Sequence, residues 1–291
     1  GYHQLTVDLD TAPYDCLLLS APRHSYVPST DQQRKMWGVF IPLYALYSTR
    51  SGGAGDFSDL EAVVDWVGAL GGDVVATLPL LAAFLDEPFE PSPYVPVSRL
   101  FWNEFYVDLA RIPERARYRD AQAVGDSVKD QESLDALRAS SWVDYRRQMA
   151  LKRRTLEGLA RCLFAESSIR RDAFERFVAA HPSLEPYASF RAVCERRGAP
   201  WSTWPAPLAG GLLKEGDYDE RVRRYHLYVQ WVAHEQIHAV AERARAQGAG
   251  LCVDLPLGVH LDGYDVELTR AGGERVPGPV IASGGAGHPS H

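Results

Sequence analysis

The chain predicts an α/β fold built around a parallel sheet. Two short apolar runs, Trp37–Leu43 and Asp73–Leu80, bracket a segment with helical period, and a third, Leu251–Pro256, follows a long helical pattern. The return from the first helix to the second run is only a few residues. Strand, helix and strand joined in this way form a βαβ unit, whose strands lie parallel.

Each element has its own signature. Residues 3–20 hold two β-like runs, His3–Leu9 and Asp15–Ser20, separated by Asp10-Thr11-Ala12-Pro13. They predict a hairpin, or the last strands of a small β domain. A polar linker spans about 21–35. After the strand at 37–43 comes the Gly-rich loop Ser51–Asp56, then a helix. Ser58 and Glu61 fit a capping box, Leu60, Val63, Val64, Val67 and Leu70 recur at helical spacing, and Gly71 is the stop. From about 110 to 215 the chain is helical and charged, with Val143–Ala165 and Arg170–Ala180 clearest; this predicts an insertion between consecutive strands. Asp219–Gln247 predicts one long helix with Tyr225, Tyr228, Val229 and Val232 as its buried stripe. Residues 271–291, with six glycines and three prolines, are expected to be loose. The predicted division is 1–30, 31–110, 111–215, 216–265 and a tail at 266–291.

A formal charge of −7 argues against a nucleic-acid partner. No apolar run approaches the roughly 20 residues of a membrane-spanning helix. No signal peptide is visible, so a cytoplasmic location is expected, and the start at Gly1 without a Met suggests a cut N-terminus. Cys16, Cys162, Cys194 and Cys252 are far apart and predict buried thiols.

The chemistry concentrates after the second strand. Pro91-Ser92-Pro93-Tyr94 runs towards Asn103-Glu104-Phe105-Tyr106-Val107-Asp108. Aromatic rings, hydroxyls, an amide and carboxylates at a strand-to-loop junction suit a sugar, whose C–H faces stack on rings and whose hydroxyls meet polar groups. Ser92 and Tyr94 also fit a plain turn around Pro93. Asp254 ends a predicted parallel strand, the end that carries sites in α/β folds, although a strand-end Asp also serves as a loop cap or ion-pair partner. The Gly52–Asp56 loop lacks the spacing and the lysine of a phosphate-binding P-loop. His234-Glu235-Gln236-Ile237-His238 reads H-E-x-x-H on a helix, the pattern of a zinc hydrolase. The positions of the extended zinc motif, 241 and 244, are both Ala, and an amphipathic helix accounts for the residues more simply.

Six segments in order resemble the 4-α-glucanotransferases (amylomaltases, glycoside hydrolase family 77). They are Trp37–Leu46, Gly53–Phe57, Thr77–Leu80, Ser92-Pro93-Tyr94 with Asn103, Tyr228–Trp231 with His234-Glu235-Gln236, and Asp254–Val259. Tyr2-His3-Gln4-Leu5 also looks like the end of a preceding β domain. The resemblance implies a partial (β/α)₈ TIM barrel with a helical insertion after its second strand, preceded by a short β segment. It implies retaining transfer of α-1,4-glucan segments between maltodextrins, with maltodextrin or starch-type glucan as the partner and no cofactor. By motif, Ser92 and Tyr94 correspond to glucan-contacting residues and Asp254 to a carboxylate beside the site. The helix with the His-Glu-x-x-His match carries no zinc in this family. The family's nucleophile, in an Arg-x-Asp-His segment, and its acid/base have no counterpart in the 291 residues. The pattern breaks after Gly263-Tyr264-Asp265, so a truncated or frame-shifted, inactive product is expected. A non-catalytic glucan-binding fragment is the further alternative.

Overall fold

The computed structural model describes residues 2–9, 12–21, 23–24, 35–116, 128–211, 213–270 and 281–282. The chain separates into two compact units, residues 1–36 and 37–291. The first contains an antiparallel hairpin, β1 (Tyr2–Leu9) and β2 (Ala12–Leu19), in the register Leu5↔Cys16, with Thr6 Oγ1 donating to Asp15 at 2.7 Å. β2 begins earlier than the sequence pattern indicates: Pro13 lies inside it, opposite Asp8.

The second unit is built on a three-stranded parallel sheet in the order β3 (Gly38–Phe40), β4 (Val74–Thr77), β5 (Gly250–Val253). The strands are shorter than the apolar runs because proline ends them. The Ile41 N–H still bonds to the Ala76 carbonyl at 2.9 Å, but Pro42 has no N–H to continue the ladder and the chain turns into a 3₁₀ segment, Leu43–Ala45. Gly38 lies so close to β4 that a Cβ there would stand 2.1 Å from the Val74 carbonyl oxygen. The period of two puts Val75 and Thr77 into the core, both fully buried, and leaves Val74 half-buried on the other face. Cys252 pairs with Ala76 on that second face and is exposed, as is Cys16; Cys162 is half-buried, and only Cys194 matches the expected buried thiol.

α1 (Phe57–Ala69) crosses from β3 to β4 and buries Phe57, Leu60, Val64 and Val67. Its capping box lies two residues earlier than the sequence pattern indicates. Asp56 is the N-cap, accepting from the Ser58 and Asp59 N–H groups, while Asp59 accepts from Asp56 N. An Asp at the third helical position is long enough to reach back, so the box closes there. Leu70 falls at the C-cap and is exposed.

Between β4 and β5 lie α2 (Val128–Ala139), α3 (Tyr145–Ala165), α4 (Ile169–Ala180), α5 (Leu184–Arg197), the short α6 (Ala206–Ala209) and the long α7 (Glu220–Ala246). α7 packs against α1, α3, α4, α5 and β5. Its first half is therefore buried on every side, from Tyr225 to Ala233, and not along one stripe. Polar residues inside this packing are paired. Arg153 grips Glu195 through two nitrogens, at 2.8 and 2.6 Å, and His226 Nε2 lies 2.6 Å from the same carboxylate. Burial raises the Glu195 pKa, yet His226 and Arg153 outweigh it and hold the carboxyl well below the usual range. After β5, β6 (Gly258–Val259) precedes α8 (Tyr264–Arg270). The tail expected to be loose lies outside the described residues except β7 (Ile281–Ala282), which pairs parallel with β6.

Candidate functional site

Thr77 and Val253 end β4 and β5 side by side, and the Asp254 N–H continues the ladder to the Thr77 carbonyl at 3.0 Å. This fixes the Asp254 side chain at the C-terminal edge of the sheet. The chain after β4 folds back on itself through bridges Leu81↔Trp102 and Phe84↔Glu90. At its tip Ser92 Oγ accepts from the Tyr94 N–H at 3.3 Å, and Glu90 Oε1 accepts from the Ser92 N–H at 3.0 Å. These side-chain turns shape the Pro-Ser-Pro-Tyr segment locally. Tyr94 Oη then donates to Asp254 Oδ2 at 3.0 Å, joining loops 160 residues apart. That hydrogen bond raises the Tyr94 pKa. Ser92, Tyr94 and Asp254 are thus brought together, with Tyr94 47% exposed.

The loop is pinned from behind. The His260 N–H bonds to the Pro96 carbonyl at 2.9 Å and the Tyr264 N–H to the Val97 carbonyl at 2.8 Å. Asp265 accepts from Ser98 Oγ at 2.5 Å and from the Arg99 N–H at 3.0 Å, with Arg99 Nε at 3.6 Å. Asn103 caps the 3₁₀ turn Glu104–Tyr106 by accepting from the Phe105 N–H; its amide is nearly buried.

Beside Ser92 opens a groove of about 760 Å³. Its walls include Tyr44, Tyr47, Phe89, Trp142 and Tyr145, with Glu90 among them. Trp142 is 85% and Tyr47 65% exposed, an arrangement that costs free energy unless flat apolar faces are used. Tyr145 packs edge-on to Tyr44 at 6.1 Å, and burial pushes its hydroxyl up to about 12. Arg146 lies 4.2 Å over the Phe89 ring. A groove of aromatic faces beside the loop that carries a hydroxyl–carboxylate pair can cover a row of sugar rings and bind their hydroxyls. Sequence reasoning missed this wall. A detectable signal was Tyr44 and Tyr47, spaced by three just past a strand end.

The His-Glu-x-x-His residues are placed otherwise. His234 and His238 stack 5.9 Å apart, and His234 packs against Phe177 and His181. Burial, then the neighbouring histidines, lower the His234 pKa. Glu235, the base of a hydrolase reading, is held by Arg170 through two bonds of 2.8 and 2.9 Å. Arg170 also binds Glu114 and lies 4.0 Å over the Trp231 ring. His234 and Glu235 therefore tie α7 to α4, while His238 is exposed beside Glu242 of its own helix. Among the described residues no group of three metal-ligating side chains is disposed to hold an ion, and no helix is long and apolar enough to cross a membrane.

Comparison with known proteins gives one consistent result. A family model described as 4-alpha-glucanotransferase matches residues 41–271. The 4-alpha-glucanotransferase of Mycobacterium tuberculosis (strain H37Rv) is 29% identical over 285 residues, covering 91% of this chain and 38% of its own. That of Haemophilus influenzae is 30% identical, covering 86% and 38%. Among solved structures, amylomaltase from Corynebacterium glutamicum superposes with a TM-score of 0.72 at 25% identity, over 92% of this chain and 37% of that one. Amylomaltase from Streptococcus agalactiae in complex with acarbose gives 0.58 at 22%, over 80% and 46%, a likeness of fold. The chain spans about two fifths of the length of these two curated relatives.

Proposed function

Because the chain belongs to the 4-alpha-glucanotransferase family, we propose that it supplies the glucan-binding floor of a retaining α-1,4-glucan transferase. Its three parallel strands are read as the first part of a (β/α)₈ barrel, with residues 111–215 as the helical insertion. Maltodextrin rings lie along Tyr44, Tyr47, Phe89 and Trp142, and the hydroxyls at the end of the groove meet Ser92, Tyr94 and Asp254. The observation that carries this is the Tyr94–Asp254 hydrogen bond at 3.0 Å, which presents a carboxylate at the sheet's C-terminal edge beside an exposed aromatic wall.

Retaining transfer needs two carboxyl groups about 5–5.5 Å apart, one attacking the anomeric carbon and one serving as acid and then base. The family pattern assigns both to segments with no counterpart in these 291 residues. Asp254 already accepts from Tyr94 and acts in this reading by holding a hydroxyl, not by attack. The chain therefore binds and orients glucan, while turnover requires the strands that carry the two carboxyls.

Calorimetric titration of the 291-residue chain with maltoheptaose, alongside a maltotriose assay for released glucose, tests both halves. Binding that weakens in Trp142→Ala, without glucose release, is the expected result. Absence of binding overturns the groove. Turnover that disappears in Asp254→Asn reassigns Asp254 as a reacting group.

A further inference from the structure

A second cavity, of about 300 Å³, lies between the Arg50–Asp56 loop, the segment 107–115 and helices α2 and α3. Gln148, on its wall, is only 2% exposed, and among the described residues neither its Nε2 nor its Oε1 has a hydrogen-bond partner. A buried amide left unpaired at both ends costs on the order of 1–3 kcal/mol per group. An amide in this state has two hydrogen-bonding groups free to meet a polar ligand or a water.

The charges around the cavity say of what kind. Four cationic side chains line it, Arg50, Arg115, Arg138 and Lys152, against two carboxylates, Asp56 and Asp108. The carboxylates are already engaged: Asp56 caps α1, and Asp108 accepts from Ser58 Oγ at 2.5 Å and from the Ala110 N–H at 2.8 Å. Arg50 is committed to Asp59 and Asp108, and Lys152 Nζ donates to the Phe105 and Val107 carbonyls. Arg138 donates from Nε to the Ser51 carbonyl and from Nη1 to Asp135, which leaves Nη2. Arg115 pairs with no carboxylate among the described residues. Uncommitted guanidinium donors beside a buried amide donor favour an oxyanion, and the planar guanidinium fork suits a phosphoryl group. An anion alone would still leave Gln148 Oε1 without a donor. The ligand that satisfies every group carries hydroxyls as well as the anion.

We propose that this cavity binds the phosphoryl group of a small phosphorylated sugar, with Arg115 and Arg138 on the phosphoryl oxygens and the Gln148 amide on a hydroxyl. The inference is independent of the glucan groove, and none of the groove's tested residues lines it.

The test is calorimetric titration of the full chain with glucose 6-phosphate, inorganic phosphate and glucose in separate arms, at constant ionic strength. Glucose 6-phosphate is expected to bind about tenfold tighter than phosphate, as the hydrogen bonds its hydroxyls add at the Gln148 amide are together worth roughly that factor. Arg115→Ala should weaken both anions by a similar factor. Gln148→Met should weaken the sugar phosphate and spare inorganic phosphate. Equal binding of both anions, still lost in Arg115→Ala, supports the phosphoryl site and assigns it to free phosphate. No binding by either anion, or binding unchanged in Arg115→Ala, overturns the proposal and leaves water as the occupant. Arg115 is half-buried, so its removal leaves the fold intact.

Discussion

Tyr94 and Asp254 meet through one exposed hydrogen bond, so each can be altered without disturbing the core. Tyr94→Phe keeps the ring and removes the donor; maltodextrin affinity should fall about threefold to tenfold while the melting temperature stays unchanged. Calorimetry and a thermal melt read the two effects separately. Glu267 presents the opposite case. It is buried on α8, and burial pushes its carboxyl up to about 7. Its folded pKa lies above its unfolded one, so its favourable contribution is complete below about pH 4.5 and is lost as pH rises through 7. Glu267→Gln should therefore gain on the parent between pH 5 and 8, by at most about 2 kcal/mol once solvent screening is allowed for. Urea melts at the two pH values measure that gain. Single residues were the least legible part of the sequence. Ser92 and Tyr94 could be named from the loop after the second strand and Asp254 from a strand end, but the Tyr94–Asp254 hydrogen bond spans 160 residues and no local pattern encodes it. The cysteines failed for a related reason: Cys252 is apolar by composition, yet the strand's period of two turns it outward.

Helix α7 is the element on which the unit depends, and it holds its neighbours with backbone-like bonds. Gln230 accepts from the Trp102 N–H at 2.8 Å and donates to the Trp102 carbonyl at 2.7 Å. Gln236 does the same to Asp108, at 2.9 Å each way. Two side chains thus replace a missing strand partner for the irregular segment 102–108. Gln236→Leu strands one N–H and one carbonyl in the interior and should cost roughly 2–4 kcal/mol, measured by urea denaturation. Gln236→Glu keeps the acceptor and should lose less at low pH, where it can also donate. The helix itself was readable from its period and from Gly248, which takes φ +70° just past its end. The glutamines were not readable, because a polar residue on a long helix looks the same whether it faces water or a buried loop. The histidine motif misled for the same reason: spacing puts His234 and His238 on one face, while Arg170, on another helix, settles what Glu235 does.

At the scale of the whole molecule, the parallel sheet and its βαβ origin were legible because short apolar runs and short returns are local signals. The place of β5 beside β4 was not, since that pairing joins residues far apart in the chain. The aromatic groove was not legible, since Tyr44, Phe89 and Trp142 come from three separate segments. Gly38→Ala probes the sheet as a unit: β3 must shift to relieve a contact of 2.1 Å, so the variant should unfold at lower denaturant than the parent. The sheet's last pairing has a kinetic consequence. Val74 in β4 aligns with Gly250 in β5, across roughly 175 residues, so the intervening helices must gather before the ends of that loop can close. Folding then has an order built into the connectivity: α3, α4, α5 and α7 collapse early, and β5 joins last. In pulse-labelling hydrogen exchange, amides of α3 and α7 should gain protection before those of Leu251–Val253. Until they do, the edge of β4 stays open to other chains, and refolding yield should fall as protein concentration rises.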